Sequence, residues 1–337
     1  MQLVILAKKD MLPPALADEE AARIFNPTLL AHGDGYIVFY RIVSEAIGRR
    51  IGACRLDAGL NVVGGSVTDF SQSIAAIPGW HADPRLFDLD GEVWLSWNNG
   101  ILPNAENDQH VVRIDPDTLA PIGIPQKIVA EFPRRQVEKN WMFFSEGGVT
   151  RAVYSISPHH IVEAAAKGEW RFADRFRTFW GASPTFKRFG EPRGGAQPVR
   201  LGGSYYNFCH GTRRVNGKTA YVGLVYEFSA QAPFAITRFC STALPLPNPA
   251  GETFAMPRLN ERVSSVIYPT GAVSLKDGAE WLVSYGLNDE DCAVARFSHE
   301  QLTAILQPVS RTTMAVWAID EFLRKFPSFV RRKVMSR

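Results

Sequence analysis

The sequence predicts an all-β fold, a five-bladed β-propeller with a short C-terminal helix, and three observations support this prediction. One pattern recurs five times along the 337 residues, beginning at Asn26, Asp83, Asn140, Gln197 and Tyr268. These starts are 57, 57, 57 and 71 residues apart, and a fixed period in this range is the signature of a repeat architecture. Aromatic residues, which favour strands, make up 11% of the chain.

Each repeat has the pattern of a strand, a tight turn and a second strand. A polar residue, usually followed by proline, opens the unit, as in "DPRLFDLDGEVWLSWN" from Asp83. The turns GDG, LDG, EGG, LGG and KDG are hairpin signals. The rest of each repeat leaves room for two more strands, which gives a four-stranded blade. Two tandem sandwiches would also contain many short strands, but they would not repeat the same polar residue and proline at the head of every unit.

The two ends of the chain complete this organisation. The residues before Asn26 are expected to supply a strand that closes the ring with the last blade. Residues 317–329 follow the pattern of a C-terminal helix packed outside the ring. We therefore predict a propeller domain over residues 1–310 and a C-terminal helix and basic tail over residues 311–337.

Charge and composition exclude several function classes. The formal net charge is +3, but residues 324–337 alone carry six Lys or Arg and no acid, so the basic character belongs to the tail. Nucleic-acid binding is not expected, because it needs cations spread over a folded face. No apolar run approaches the roughly 20 residues of a membrane span, and no secretory leader is evident. The four cysteines show no CxxC spacing and are expected to be reduced, which suggests a cytoplasmic protein.

The five heads define the candidate site. The first strand of each propeller blade lines the central channel, so the heads should converge on one funnel, and Asp83 should face it. Proline is tolerated at a strand start, where it has no ladder hydrogen bond to lose. Amides, acids and aromatic rings in one pocket suit a polyhydroxylated ligand. The candidate sugar-binding residues are Asn26, Arg41, Trp80, Arg85, Asn140, Gln197, Tyr268, Tyr285 and Asp289.

Asp83 is the leading candidate for a general acid. Burial raises the pKa of a carboxyl group and lets it hold a proton, although a neighbouring arginine opposes this. Alternatively, Asp83 caps a turn and pairs with Arg85. Glycoside hydrolysis usually needs a second carboxylate, for which Glu138 and Asp289 compete.

Lys139, Arg193 and His210 are the candidate phosphate-binding residues, because charge-assisted hydrogen bonds commonly hold an oxyanion. His210 also has the alternative of a purely structural role in its strand. A metal site at His159 and His160 is not expected, because adjacent residues of a strand point to opposite faces. No cofactor is expected, and inorganic phosphate is a candidate co-substrate.

At these residues the sequence resembles glycoside hydrolase family 130, the five-bladed β-mannoside phosphorylases and hydrolases, and more closely its uncharacterised bacterial relatives. The resemblance covers about residues 20–305, and family members commonly have Glu where Ala82 stands. It implies that Asp83 donates the proton through a sugar hydroxyl, that phosphate or water attacks with inversion, that Arg193 and His210 bind phosphate, and that Asp289 binds the sugar. The motifs are NPTLL…YR (26–41), DPR (83–85), EKNW (138–141), RGGAQPV (193–199), CHG (209–211), YPTG (268–271) and SYGLND (284–289).

Three functions follow from these observations. The first is inverting phosphorolysis or hydrolysis of β-mannosidic linkages, with an oligosaccharide or sugar phosphate as substrate. The second is glycosyl transfer in the synthesis of a surface polysaccharide or oligosaccharide, with the basic tail in peripheral contact with an anionic membrane. A solvated terminus is the alternative for that tail. The third is a propeller that binds glycans without turnover. The sequence does not indicate the oligomeric state.

Overall fold

A computed structural model of the chain describes residues 1–19, 21–100, 107–135, 137–166 and 168–309. The described chain forms five sheets, the blades of the expected β-propeller. A first short strand, β1 (Gln2–Leu6), precedes the first blade, together with α1 (Lys8–Met11) and a 3₁₀ turn (Pro14–Leu16).

Blades 1 and 2 are four-stranded antiparallel sheets. Blade 1 comprises β2 (Arg23–His32), β3 (Gly35–Ser44), β4 (Gly48–Leu56) and β5 (Thr68–Asp69), and α2 (Phe70–Ser73) follows it. Blade 2 comprises β6 (Ala82–Leu89), β7 (Glu92–Asn98), β8 (Gln109–Ile114) and β9 (Pro121–Lys127).

Blades 3 and 4 each carry additional strands. Blade 3 comprises β10 (Val129–Ala130), β11 (Met142–Glu146), β12 (Val149–Ser155), β13 (His159–Ala164) and β14 (Arg171–Thr178), with β10 on its outer edge, and α3 (Ser183–Phe189) follows it. Blade 4 comprises β15 (Val199–Leu201), β16 (Ser204–Val215), β17 (Lys218–Ser229), β18 (Ile236–Cys240) and β19 (Val263–Ser265).

Blade 5 closes the ring. It comprises β20 (Ile267–Leu275), β21 (Glu280–Leu287) and β22 (Asp291–Ser298), with a 3₁₀ turn (Lys276–Gly278) between the first two strands. The N-terminal strand β1 pairs antiparallel with β22 and becomes the fourth strand of this blade, as predicted. The chain continues through α4 (His299–Ile305) to β23 (Leu306–Pro308), which extends the outer edge of blade 4.

The innermost strand of every blade lines the axis, and these strands are β2, β6, β11, β15 and β20. A cavity of about 560 Å³ at one end of the channel is lined by residues from all five of them, among them Leu29, Leu86, Phe143, Val199 and Ala272. Four of the five heads, Asn26, Asp83, Asn140 and Tyr268, lie at the other end of these strands, whereas Gln197 lines the cavity itself. This arrangement explains why the polar residues recur at the heads and the apolar residues follow them.

The polar residue and proline at the heads have a backbone reason. Asn26, Asp83 and Asn140 have φ values of 55°, 54° and 62°, in the left-handed region that Asn and Asp tolerate better than most residues. The strand register shifts between Phe25 and Thr28 and again between Ala82 and Arg85. These bulges redirect the head side chains, and the following proline needs no ladder hydrogen bond.

The hairpin turns follow the predicted chemistry. Asp90 and Gly91 in blade 2, and Gly147 and Gly148 in blade 3, all have positive φ. Two consecutive residues of this kind form the type I′ turn that matches the twist of paired strands. All four cysteines are free and buried, in agreement with the sequence prediction.

The short helix near the C-terminus is α4, and it begins with a capping box in which Ser298 accepts a hydrogen bond from the backbone of Gln301. The predicted helix at 317–329 and the basic tail lie outside the described residues. Within the described ranges, no helix has the length and apolar character needed to span a membrane.

Candidate active site

The heads of four blades meet at the end of the channel, and we call this region the axial funnel, formed by Asn26, Asp83, Asn140 and Tyr268. Asn26 Nδ2 donates to Asp83 Oδ1 at 3.2 Å, which joins blades 1 and 2. Tyr268 Oη donates to Asn140 Oδ1 at 2.8 Å, which joins blades 5 and 3. Four of the five heads therefore converge as predicted, and the fifth, Gln197, does not.

Asp83 is held by three side chains. Arg41 Nη1 lies 3.2 Å from Oδ1 in an ion pair, beside the hydrogen bond from Asn26. Asn98, at the end of β7, places Nδ2 3.5 Å from Oδ2. The carboxylate is thus oriented by residues of blades 1 and 2, while part of its surface stays open to the funnel.

Arg85 does not pair with Asp83, so the alternative of a local pair between these two residues is wrong. The Arg85 side chain is buried and donates to the carbonyls of Gly195 and Pro84, both at 2.8 Å. Its Nη2 also donates to Tyr268 Oη at 2.6 Å. Arg85 therefore links blade 2 to blades 4 and 5 near the axis. Its charge lowers the pKa of Asp83 without a direct contact.

Gly194 and Gly195 allow close backbone packing at the segment whose carbonyl accepts the hydrogen bond from Arg85. A Cβ on Gly194 would lie 2.2 Å from the Asn140 carbonyl oxygen, and a Cβ on Gly195 would lie 2.6 Å from that of Phe208. No side chain fits at either position. The RGG segment is therefore needed for close approach of the backbone to the axis.

The two carboxyl groups of the funnel differ in their protonation. Burial acts to raise the pKa of Asp83, but the charges of Arg41, Arg85 and Lys139 outweigh it and hold the pKa well below its usual range. Burial raises the pKa of Asp289, and the negative charge of Asp83 raises it further. The nearby arginines lower this pKa, but they do not outweigh the rise. In the free protein Asp83 is the ionised group, and Asp289 is the one that more readily holds a proton.

His210 is neutral and buried. Burial, with the charges of Lys139 and Arg193, lowers its pKa to about 3. Its Nδ1 lies 3.0 Å from the Gly194 carbonyl oxygen, which can only accept, so Nδ1 carries the hydrogen and Nε2 is an acceptor. Desolvation therefore disfavours the protonated form of His210, so its expected role in binding phosphate would rest on hydrogen bonding and not on charge.

Lys139 and Arg193 keep the positive charge on this side. Both are exposed, and Arg193 Nη2 lies 3.9 Å from the carboxylate of Glu191. They line a cleft of about 300 Å³ between blades 3 and 4, which also includes Asn140 and Arg135. We call this feature the blade 3–4 cleft.

Three other predicted site residues are engaged elsewhere. Gln197 accepts a hydrogen bond from the Phe143 backbone and lines the apolar end of the channel. Tyr285 is fully buried and donates to the Pro247 carbonyl at 2.8 Å. One face of Trp80 is covered by the Arg49 guanidinium, 3.5 Å from its ring centroid.

Glu138 is buried and fully hydrogen-bonded. Its carboxylate accepts from Trp141 Nε1 at 2.9 Å, from Tyr154 Oη at 2.9 Å and from the Arg135 backbone at 2.7 Å. These contacts fix the segment that carries Lys139 and Asn140. This geometry suits a positioning residue better than a second catalytic carboxylate.

Sequence reasoning missed several residues around the funnel. Arg23 and Arg49 carry positive charge near Asp289, and burial together with Arg41 lowers the pKa of Arg49 to about 10. Tyr221 stacks on His210 with ring centroids 5.5 Å apart. Of the missed residues, Asn98 could have been found from the sequence. It ends the second strand of the second repeat, and it contacts Asp83, which begins that repeat.

His159 and His160 have separate hydrogen-bonding partners. His159 is buried and its Nδ1 bonds to the Phe234 carbonyl, while His160 pairs with Asp174. Across the described part of the chain, no group of three or more His, Cys, Asp or Glu side chains is arranged to hold a metal ion.

Comparison with known proteins supplies structural relatives but no sequence relatives. No protein-family model and no curated protein matches the chain. Among solved structures, a β-1,2-mannobiose phosphorylase from Listeria innocua superposes with a TM-score of 0.61 at 15% identity, covering 90% of this chain and 99% of that one.

Two further structures share the fold. One, from the GH130 family of mannoside phosphorylases, is described among glycoside hydrolases that target β-1,2 mannosidic linkages; it has a TM-score of 0.57 at 12% identity, covering 88% and 91% of the two chains. A GDP-Man-dependent mannosyltransferase from Leishmania mexicana has a TM-score of 0.57 at 11% identity, covering 89% of each chain. These likenesses confirm the predicted resemblance at the level of the fold.

Proposed function

We propose that this protein is a carbohydrate-active enzyme that cleaves a glycosidic linkage with inversion, using phosphate or water as the nucleophile and Asp83 as the proton donor. The observation that carries the proposal is the position of Asp83 in the axial funnel, where it contacts the amides of Asn26 and Asn98 and lies near the cleft lined by Lys139 and Arg193. Amides and carboxylates bind sugar hydroxyls, and the cations suit an oxyanion. The shared fold of mannoside phosphorylases favours a β-mannosidic linkage.

The low pKa of Asp83 must change before the residue can donate a proton. Arg85 and Lys139 are two of the charges that lower it. A phosphate beside Lys139 would add negative charge, and a sugar in the funnel would exclude water; both effects raise the pKa of a carboxyl group. Ligand binding would thereby give Asp83 the proton that the leaving oxygen needs.

His210 would contribute as an acceptor on this side of the funnel. With Nδ1 donating to Gly194, its Nε2 can accept a hydrogen bond from a protonated phosphate oxygen, a water molecule or a sugar hydroxyl. Arg193 and Lys139 would supply the charge. This division of roles replaces a site built from three cations.

The test is Asp83→Asn assayed on β-mannobioses with and without phosphate. We expect release of mannose 1-phosphate or mannose by the wild type, and a loss of at least about 10²-fold in rate for the variant, because a positioned acid contributes about that much. Sugar affinity should stay near that of the wild type. Asp34→Asn, an exposed turn residue, is the matched control and should keep full activity.

Two outcomes would contradict the proposal. If Asp83→Asn turns over as fast as the wild type, Asp83 is not the proton donor. If neither product forms with any β-mannobiose while the sugar binds, the protein is a glycan-binding propeller without turnover.

Transfer from an activated sugar is the second candidate function, and it is supported by the cations that line the blade 3–4 cleft.

A further inference from the structure

The blade 3–4 cleft adjoins the axial funnel at Asn140. Lys139, Asn140 and Arg193 line it, and Asn140 also accepts the hydrogen bond from Tyr268 in the funnel. The cleft therefore begins where the funnel's phosphate subsite is proposed. Its volume of about 300 Å³ is that of a small-molecule pocket.

The cleft is positively charged beyond that shared wall. Arg135 lines it together with Lys139 and Arg193, against one carboxylate, Glu191. Within the described ranges neither Arg135 nor Lys139 has an ion-pair partner. Three cations against one carboxylate leave the cleft with an excess of positive charge, which favours an anionic ligand.

Arg135 is held in place from behind. Its guanidinium lies over the Tyr154 ring, 4.5 Å from the centroid. Its backbone N–H donates to Glu138 Oε1 at 2.7 Å, and Tyr154 Oη donates to the same oxygen at 2.9 Å. The buried Glu138 thus fixes both the backbone of Arg135 and the Tyr154 ring beneath its guanidinium. Arg135 is therefore held in a defined position in the wall of the cleft.

The position of the cleft limits what can occupy it. In an inverting reaction the nucleophile and the leaving group lie on opposite faces of the sugar. The cleft continues outward from the nucleophile side, at Lys139 and Arg193. If the attacking phosphate lies at Lys139 and Arg193, a group in the cleft adjoins that phosphate, and the departing sugar lies on the opposite face.

We propose that the blade 3–4 cleft binds the second phosphoryl group of a diphosphate whose first phosphoryl group lies at Lys139, Arg193 and His210. In the cleavage direction a terminal diphosphate oxygen bonds to the anomeric carbon, the bond from that carbon to the leaving oxygen breaks, and that oxygen takes the proton of Asp83. In reverse, a glycosyl diphosphate transfers its sugar to an acceptor hydroxyl, whose proton passes to Asp83. This inference rests on the proposed function, since it uses the same nucleophile side.

The test compares inorganic phosphate with pyrophosphate by isothermal titration. We expect pyrophosphate to bind at least about tenfold more tightly than phosphate to the wild type, because a charge-assisted hydrogen bond is worth about that factor or more. Arg135→Gln should remove this preference and leave phosphate affinity within about twofold. Arg171→Gln is the charge-matched control on β14 of the same blade, where Arg171 pairs with Glu131.

Equal affinity of the wild type for the two anions, or a preference that persists in Arg135→Gln, would overturn the inference. Either result would leave the cleavage of β-mannobioses untouched, because that assay uses a neutral sugar with phosphate or water. Conversely, the wild type could fail to cleave β-mannobioses and still prefer pyrophosphate through Arg135. That result would support the diphosphate site and contradict the proposed reaction. Thermal unfolding of both variants confirms that they are folded.

Discussion

Arg41 Nη1 lies 3.2 Å from Asp83 Oδ1, although Arg85 is only two residues from Asp83 in the sequence. The partner comes from the neighbouring blade, and Arg85 uses its donors on backbone carbonyls and Tyr268. The charge state of Asp83 is therefore controlled by contacts between blades.

Replacing Arg41 with Met should raise the pKa of Asp83, because the strongest opposing charge is removed while burial remains. A lowered folded-state pKa stabilises the fold above the unfolded value of about 3.9, and this stabilisation is lost as the pH falls through the folded-state value. Arg41→Met should thus be less stable than the wild type at pH 7. The difference should shrink as the pH falls through the raised pKa of the variant.

The measurement for Arg41 is chemical denaturation across pH 3–7, with carboxyl NMR titration of Asp83. A stability difference that stays constant down to pH 3 would show that the Arg41 charge does not act through Asp83. Arg113→Met, an exposed strand arginine paired with Glu92, is the control and should show little change at any pH.

Phosphate binding should be accompanied by proton uptake at Asp83. Binding near Lys139 raises the pKa of the carboxylate, and by linkage the two equilibria favour each other. Titration of phosphate at pH 5–6 in buffers of different ionisation enthalpy should show more proton uptake for the wild type than for Asp83→Asn. Equal uptake by the two proteins would contradict this coupling.

Glu138→Gln should mainly affect stability. The amide offers one acceptor oxygen in place of two and adds a donor, so at least one of the groups bonded by Glu138 loses its partner. We expect a loss of about 1–3 kcal/mol in unfolding free energy and less than a tenfold change in kcat. A variant with unchanged stability and a 10²-fold lower kcat would restore Glu138 as a catalytic candidate.

Gly195→Ala should destabilise the propeller and weaken activity together. The added Cβ would lie 2.6 Å from the Phe208 carbonyl oxygen and 2.7 Å from that of Pro269, both on backbone that cannot move freely. We expect about 1–3 kcal/mol of destabilisation, as for overpacked cores, and displacement of the carbonyl that binds Arg85. Gly203→Ala is the matched control, since nothing lies within 4 Å of its Cβ position. Similar melting temperatures for the two variants would argue against this packing constraint.

Much of the fold could be predicted from local signals. The period of the repeat, the hairpin turns and the heads at Asn26, Asp83 and Asn140 each depend on backbone preferences of a few neighbouring residues. The ring-closing strand β1 followed from the need to complete the last blade. Gln197 and Tyr268 were recognised as heads by position, although they do not share the left-handed backbone.

The site was predicted less completely, because burial and partners come from other blades. Asp83 and Asp289 are candidates from the sequence, but the side chains that shift their pKa values apart include residues of other blades. The lowered pKa of His210 could not be predicted, since its strand neighbours do not reveal desolvation. Arg49, Arg135 and Tyr221 have no motif and are identified only by what surrounds them.

The sequence alone determined the number of blades and which residues lead them, since turn chemistry and backbone tolerance are properties of short segments. The tertiary structure decided which of those residues carry charge, which accept hydrogen bonds and which are structural. Glu138 shows the difference, because a carboxylate adjacent to Lys139 looks catalytic until Trp141 and Tyr154 are seen to bond it. Those outcomes depend on distances between blades and on exclusion of water, which exist only after the ring has closed.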